Sequence, residues 1–407
     1  MALPVLIDVG AVVNLAATTT VKDAAVRVWG VVVVGAGPAG AVAAREFVRR
    51  GVATLLVDKA TFPRWKVCGC CLNQSALHTL ARLELGHVAV GCGAVPLSRV
   101  QLAAGGRRAG VRLPGGVAIS REAFDAALVR EAIAKGAEYL PGTSARLGPV
   151  ENDFRSVDLT AGEENARIRT KVVIAADGLN GQFTASAGNR ATIDPASRIG
   201  AGAIADAAPA FYEPGTIYMA VGRGGYVGLV RVEGGKLDVA AAFDPVFVRA
   251  AGGLGAAGAE IVAVAGLPVI PGLAGLAWRG TPALTRTARD VAGERWFAVG
   301  DAAGYVEPFT GEGMAWAVAS AAAVAPVAAR GVVEWTDALA GEWDATHARL
   351  VRSRQTVCRV VARVLRSPRL SGWAVRALSV APVLSRPVVR LLNQPARIPI
   401  RVPGAVS

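Results

Sequence analysis

The sequence predicts an α/β protein of two interleaved parts, one built on a parallel doubly wound sheet and one on an antiparallel sheet, followed by a helical tail. Three features predict it. Four valines run into a glycine-rich turn at 31–40, residues 198–243 alternate in short apolar segments, and residues 345–407 carry arginine as their only charged residue.

Residues 1–28 read as an N-terminal extension with no assigned role. The stretch contains Asp8, lacks a basic leading region and is too short to span a bilayer. Val31–Val34 asks for burial on both faces, as in a parallel sheet. In Gly35-Ala36-Gly37-Pro38-Ala39-Gly40 the first glycine makes the tight turn. The second lets a pyrophosphate approach the backbone, and the third lets the next helix pack on the strand. That helix, 38–50, offers its N-terminal N–H groups and positive dipole end to the phosphate. Gly51 closes it, 52–57 forms the next strand, and Asp58 at the strand end suits adenosine ribose hydroxyls. The same glycine spacing recurs at Gly253, Gly255 and Gly258, but no strand leads into it and no acid stands near 280. It reads as a Gly/Ala-rich helix junction, leaving no second nucleotide fold for NAD(P)H.

Further along, Thr61–Cys71 is a loop opening a helical stretch to Leu85, and 91–118 reads as hairpin strands. Ser120 caps a helix reaching Lys135. Residues 138–170 read as strands turning at Asn152-Asp153, and 171–176 as a separate short strand ending in Asp177-Gly178. Residues 244–275 look helical. Trp296–Val299 is a short buried strand ending in Gly300-Asp301, followed by a helix from Gly313. The apolar run Met314–Ala329 falls short of a membrane span and reads as a buried helix.

Of the net charge of +13, the 12 arginines of the 345–407 tail supply nearly all, and that tail has no acid and no lysine. No nucleic-acid module accompanies this charge. Five cysteines, an odd number clustered at Cys68, Cys70 and Cys71, do not read as a disulfide framework, so a reducing cytoplasm is expected. The three histidines supply no second ligand pair for a metal. In the tail, Val357, Val360, Val361, Val364 and Leu365 share one helical face. Two readings stand: a basic amphipathic helix resting on the inner face of an anionic membrane, or a helix docked on the body with its arginines in water.

At three anchor points the chain resembles the flavoprotein group of geranylgeranyl reductases, flavin halogenases and aromatic hydroxylases, over roughly residues 29–345. These are the glycine turn with Asp58, Asp177-Gly178, and Gly300-Asp301-Ala302-Ala303-Gly304 followed by Pro308-Phe309-Thr310-Gly311-Glu312-Gly313-Met314. The segment Pro63-Arg64-x-Lys66-x-Cys68-Gly69 is similar to the geranylgeranyl reductase branch. The resemblance implies a discontinuous Rossmann-type FAD-binding domain (29–92, 119–190, 285–344), a substrate domain (93–118, 191–284) and a tail (345–407). It implies FAD contacts from Gly35, Gly37, Pro38, Ala39, Gly40, Asp58, Lys59, Arg64, Cys68, Gly69, Arg121, Asp177, Gly300, Asp301, Pro308, Gly311, Gly313 and Met314. Within that set, Asp301 accepts ribityl hydroxyls, Gly311 and Gly313 leave room for the isoalloxazine, and Asp177 ties a strand end.

Alternatives stay open for single residues. Cys68 is a flavin-adjacent thiol or a space filler, and Arg121 touches the flavin region or lies on the surface. Lys59 and Arg64 screen the pyrophosphate or are solvated. Glu312 gates the flavin or caps its helix, with the cap favoured. Two departures from the reductases stand out: Gly225–Val230 occupies the place of their aromatic–Trp–Phe–Pro stretch, and Cys70 and Cys71 replace glycines. The function expected is an FAD-dependent oxidoreductase passing hydride to an apolar polyprenyl, lipid or polyketide-like substrate. NAD(P)H or a separate protein serves as electron donor. The alternatives are a flavin monooxygenase using NAD(P)H and oxygen, and a flavin-binding protein without turnover.

Overall fold

The structure, a computed structural model, describes residues 14–186, 188–307, 309, 311–396 and 398. Pro308, residues 1–13 of the N-terminal extension and the tail beyond 398 lie outside them.

Val28–Val34 is a central strand, and Val31, Val32 and Val33 are fully buried, as a strand covered on both faces requires. It pairs in parallel with Thr54–Val57 on one side and Glu164–Ala175 on the other. Glu138–Leu140 extends the first side and Trp296–Ala298 the second, both in parallel. The chain therefore lays its second and third parallel strands on one side of the first, and its fourth and fifth on the other. That reversal is the switch point at which open α/β sheets form a crevice at their carboxyl ends. Helix Pro38–Val48 packs on the sheet against Arg121–Ala134 and Gly313–Val333. Its small alanine side chains let these helices approach closely.

Helix Gly313–Val333 is longer than the apolar run suggested, since its 21 residues are long and apolar enough to cross a membrane. Its most apolar window is 72% buried within the fold, so it serves as a core helix. Residues 164–175, expected as the end of one strand and the start of another, form one continuous strand. Its first half pairs antiparallel with Phe154–Ala161, and its second half runs parallel beside Val28–Val34.

The second sheet runs in the order 279–283, 199–205, 237–243, 225–231, 216–222, 99–104, 107–112. Its pairs are antiparallel except that Thr216–Gly222 lies parallel to Arg99–Ala104. Only 99–112 of the expected hairpin region joins this sheet. Gly116–Ala118 pairs instead with Cys71–Asn73 and Val95–Pro96 in a small separate sheet. The second glycine repeat is a helix junction, as its lack of a leading strand predicts: Pro245–Ala251 ends at Gly252 (φ 88°), and Leu254–Val264 begins after Gly253.

The tail folds into helices Ser353–Arg366, Pro368–Val380 and Arg386–Asn393, and it returns to the body. Gln355 Nε2 donates to Gly304 O at 3.3 Å, and Asn73 Nδ2 donates to Leu392 O at 3.3 Å.

Candidate functional site

Four loops leave the carboxyl ends of neighbouring parallel strands and bring the sequence motifs together. Gly35 follows Val34, Asp58 follows Val57, Asp177 lies just past Ala175, and Asp301 lies just past Ala298. They line one cavity of about 900 Å³ that continues under the second sheet and the tail helices.

The glycine turn has the geometry its spacing predicts. Gly35 takes φ 103°, and a Cβ there would stand 2.3 Å from Ala176 O. A Cβ on Gly40 would stand 1.7 Å from Gly35 O, so this residue does not face the cavity but lets the helix sit on the turn. Gly37 faces open space toward two guanidinium groups, with Arg121 Nη2 at 3.5 Å and Arg64 Nη2 at 3.7 Å from its would-be Cβ. A glycine cradle at a helix N-terminus, facing two fixed cations, suits an anionic group such as a pyrophosphate. Pro38 and Ala39 line the same end.

Those cations are held from behind by Asp125, which is fully buried. Arg121 Nε and Nη2 each donate to one Asp125 carboxylate oxygen at 2.7 Å, and Arg64 Nη1 lies 3.3 Å from Oδ2. Arg121 is therefore a buried cavity residue, and its surface reading is excluded. Arg64 also faces the cavity, whereas Lys59 lines the rim and remains exposed. Asp125 was missed in the sequence, although its spacing four residues after Arg121 on one helix was a usable signal.

Asp58 accepts from Ala36 N at 2.6 Å through Oδ2 and from Ala60 N at 2.8 Å through Oδ1, which ties the strand end to the glycine turn. Asp177 Oδ2 accepts from Phe183 N at 3.0 Å, a contact between the end of the strand and the short helix that follows it. Asp301 differs. Among the described residues its carboxylate makes no hydrogen bond or close ion pair, although it lines the cavity. Burial pushes its pKa up, against the pull of Lys66, Arg121 and Arg286. Lys66 is itself driven down by burial, and its Nζ would stand 3.2 Å from a Cβ on Gly178. An acceptor left unsatisfied by its own protein, in a cavity with a cation-facing glycine turn, fits the hydroxylated and phosphorylated chain of FAD.

Gly69, Gly300, Gly311, Gly313 and Met314 line the cavity beyond Asp301, and Pro308 is outside the described residues. Gly311 takes φ 77° over Cys71, and Gly313 lies against the Tyr305 ring. Glu312 stands at the N-cap position but makes no side-chain cap bond, contrary to the reading favoured for it. Its Oε2 instead accepts from the Cys358 thiol at 3.4 Å, linking the tail to this loop. Cys68 lines the cavity beside Arg121.

The far half of the cavity is apolar. Val100, Leu102, Ile217 and Met219 line it from the second sheet, and Tyr226 packs edge-on against Phe309 at 5.0 Å. Val361, Val364, Leu365, Leu378 and Val388 of the tail close it. The apolar face read on the first tail helix thus forms a cavity wall. Sequence periodicity identified that face but carried no signal of what it covers.

Residues 29–215 match the family described as FAD binding domain. The chain is 32% identical over 166 residues to a menaquinone reductase of Mycobacterium tuberculosis, a match covering 39% of this chain and 40% of that protein. It is 29% identical over 160 residues to a digeranylgeranylglycerophospholipid reductase of Methanosphaerula palustris, covering 38% and 40% respectively. These matches span about two fifths of the relatives' length. The fold matches a geranylgeranyl bacteriochlorophyll reductase-like protein from Thermoplasma acidophilum with TM-score 0.74 at 20% identity, over 87% of this chain and 92% of that one. Flavin-dependent halogenases and a p-nitrophenol 4-monooxygenase share the same fold.

Proposed function

We propose that this chain is an FAD-dependent oxidoreductase acting on an apolar polyprenyl, lipid or polyketide-like substrate. One observation carries the reading: a single cavity joins a cation-faced glycine turn and an unsatisfied Asp301 to an apolar chamber large enough for an extended hydrocarbon. The names of the relatives support reduction of a prenyl or quinone-type double bond.

In this reading Gly37, Pro38 and Ala39 with Arg64 and Arg121 hold the pyrophosphate, and Lys59 screens it from the rim. Asp58 takes the adenosine ribose and Asp301 the ribityl hydroxyls. Cys68, Gly69, Gly300, Gly311, Gly313 and Met314 border the flavin ring. Gly40 and Asp177 act through the backbone they hold. Residues 29–92, 119–190 and 285–344 make up the cofactor unit, and 93–118 with 191–284 the substrate unit. FAD bound there supplies hydride transfer between an electron donor and the substrate. With the second glycine repeat spent as a helix junction, NAD(P)H binds transiently or a separate protein delivers the electrons.

The tail supports peripheral contact with an anionic membrane on the cytoplasmic side. Trp373 is 68% exposed and Val380 82% exposed, beside Leu384 and Val388 at the cavity mouth. Arg363, Arg369, Arg376, Arg386 and Arg390 lie on the same three helices, and among the described residues none of them forms an ion pair. An apolar substrate would then pass from the lipid into the cavity.

The deciding experiment uses flavin-loaded protein reduced by dithionite and mixed anaerobically with a polyprenyl quinone or polyprenyl diphosphate. Flavin reoxidation with gain of two hydrogens in the product supports reduction. Turnover that requires oxygen and adds an oxygen atom supports the monooxygenase reading.

A further inference from the structure

The loop 61–70 lies between the two sheets, and its side chains divide between them. Val67 Cγ1 stands 3.2 Å and Trp65 Cη2 3.7 Å from the would-be Cβ of Gly202, so both rest on strand Ile199–Ala205, and the lack of a side chain at 202 is what admits them. Arg279 pairs with Gly202 across the sheet and stacks its guanidinium over the Trp65 ring at 5.1 Å, bracing the loop from the exposed rim. Lys66, between these two anchors, reaches the cofactor sheet instead. Its Nζ stands 3.2 Å from the would-be Cβ of Gly178, just past the end of strand Glu164–Ala175. Lys66 lines the cavity together with Gly178 and Asp301. It differs from the two arginines of the same cavity. Arg64 and Arg121 share the Asp125 carboxylate behind them, whereas Lys66, among the described residues, makes no hydrogen bond and no ion pair.

We propose that Lys66 is the counter-charge of the reduced cofactor, a fixed ammonium that holds reduced FAD more tightly than oxidised FAD and so raises its reduction potential. The strand ends give its place along the cavity. Gly35 and Gly37 follow Val28–Val34, Gly178 follows the neighbouring Glu164–Ala175, and Asp301 follows Trp296–Ala298, the next strand again. Arg64 and Arg121 face the first of these ends, where the glycine turn suits a pyrophosphate. Lys66 stands past that end, at Gly178. A pyrophosphate carries the same charge in both redox states, so a cation facing it holds both states alike. The ring does not. Oxidised FAD takes up two electrons and one proton from its donor, and its ring then bears one additional negative charge. A cation toward that side favours the reduced state, and in a cavity shielded from water its field acts over several ångströms. Burial lowers the pKa of Lys66, while Asp301 works against that fall. Negative charge gained by a bound ring would hold the ammonium charged more firmly. The inference rests on the cavity holding FAD, as proposed above, and on no choice of substrate.

The test measures the two-electron potential of the flavin-loaded full chain, without substrate, by anaerobic equilibration against a reference dye. Equilibrium dialysis gives the affinities for oxidised and reduced FAD alongside it. Lys66→Met is expected to weaken reduced FAD about tenfold or more relative to oxidised FAD, which lowers the potential by about 30 mV or more. Lys66→Arg keeps the charge and stays near the wild-type potential. Arg64→Met weakens both redox states by the same factor and leaves the potential in place. An unmoved potential in Lys66→Met overturns the inference. So does equal weakening of both states, or complete loss of FAD, because Lys66 would then be a binding residue of the oxidised cofactor. A Lys66→Arg variant that falls as far as Lys66→Met also overturns it, since shape and not charge would be at work. No substrate enters these measurements, so failure of the polyprenyl assay counts against the proposed function alone.

Discussion

Replacing Asp301 by Asn separates holding a cofactor from holding the fold. The carboxylate lines the cavity with no hydrogen bond from the described protein, and Lys66, Arg121 and Arg286 surround it. Its contribution to a hydroxylated ligand is a charge-assisted hydrogen bond, about 1.5–3 kcal/mol. Asn keeps the shape and loses the charge, so FAD binding should weaken by roughly 10- to 150-fold. In the flavin-free protein the sign reverses. A carboxyl whose folded pKa lies above its unfolded value favours the folded state at low pH and opposes it once ionised. Flavin-free wild type should therefore gain stability relative to Asp301→Asn as the pH falls through the carboxyl range, and it should hold no advantage at neutral pH. The assays are FAD titration by fluorescence quenching and urea unfolding of both flavin-free proteins. If the variant binds FAD as tightly as wild type, Asp301 does not hold the cofactor. If it unfolds more easily at neutral pH, the residue is structural.

Gly40→Ala should fail to retain FAD and should lose several kcal/mol of stability, because its Cβ would meet Gly35 O at 1.7 Å. Gly69→Ala, with nothing within 4 Å of its would-be Cβ, is the matching control for thermal unfolding. His347 is buried, neither ring nitrogen has a hydrogen-bond partner among the described residues, and burial lowers its pKa from 6.5 to about 4. Protons then bind the unfolded chain first, so this residue should remove about 3 kcal/mol of stability as the pH falls from 6.5 to about 4. Urea unfolding of His347→Leu should show a shallower loss across that window. Changing Arg369, Arg376, Arg386 and Arg390 to Gln should abolish cosedimentation with anionic vesicles at low salt while flavin is retained. About 1 kcal/mol per arginine near the surface is at stake, and intact protein that ignores such vesicles refutes the contact. Point changes are preferred to truncation, because the tail walls the cavity and deletion would open it.

The local elements of the cofactor region could be read from the chain because their signals are local. A buried valine strand, a turn that tolerates only glycine at 35 and 40, and acids at strand ends all sit within short windows. The parallel order of the sheet, by contrast, joins residues more than a hundred positions apart, such as Val32 with Val173. Partners of that kind leave little trace in periodicity. Strand 164–175 shows the difficulty. Its residues change neighbours midway, from the antiparallel Phe154–Ala161 ribbon to the parallel sheet, and the change in environment reads as a break. Glu312 was misread because a carboxylate before a helix usually caps it, whereas here Cys358 from the tail engages it. The second glycine repeat was read correctly, since the absence of a strand before it is also local information.

The closing role of residues 353–393 has a consequence for the order in which the molecule is made. Every strand of the cofactor sheet, and Asp301 with it, leaves the ribosome before Val361, Leu378 and Val388. Domains generally begin to fold from the N-terminal side during synthesis. A nascent chain at that stage has its glycine turn and acids assembled while the apolar chamber is still uncovered. Flavin can then reach its end of the cavity before the tail helices wall the apolar end. The uncovered hydrocarbon lining is at the same time a surface exposed to aggregation, and completing the tail helices covers it.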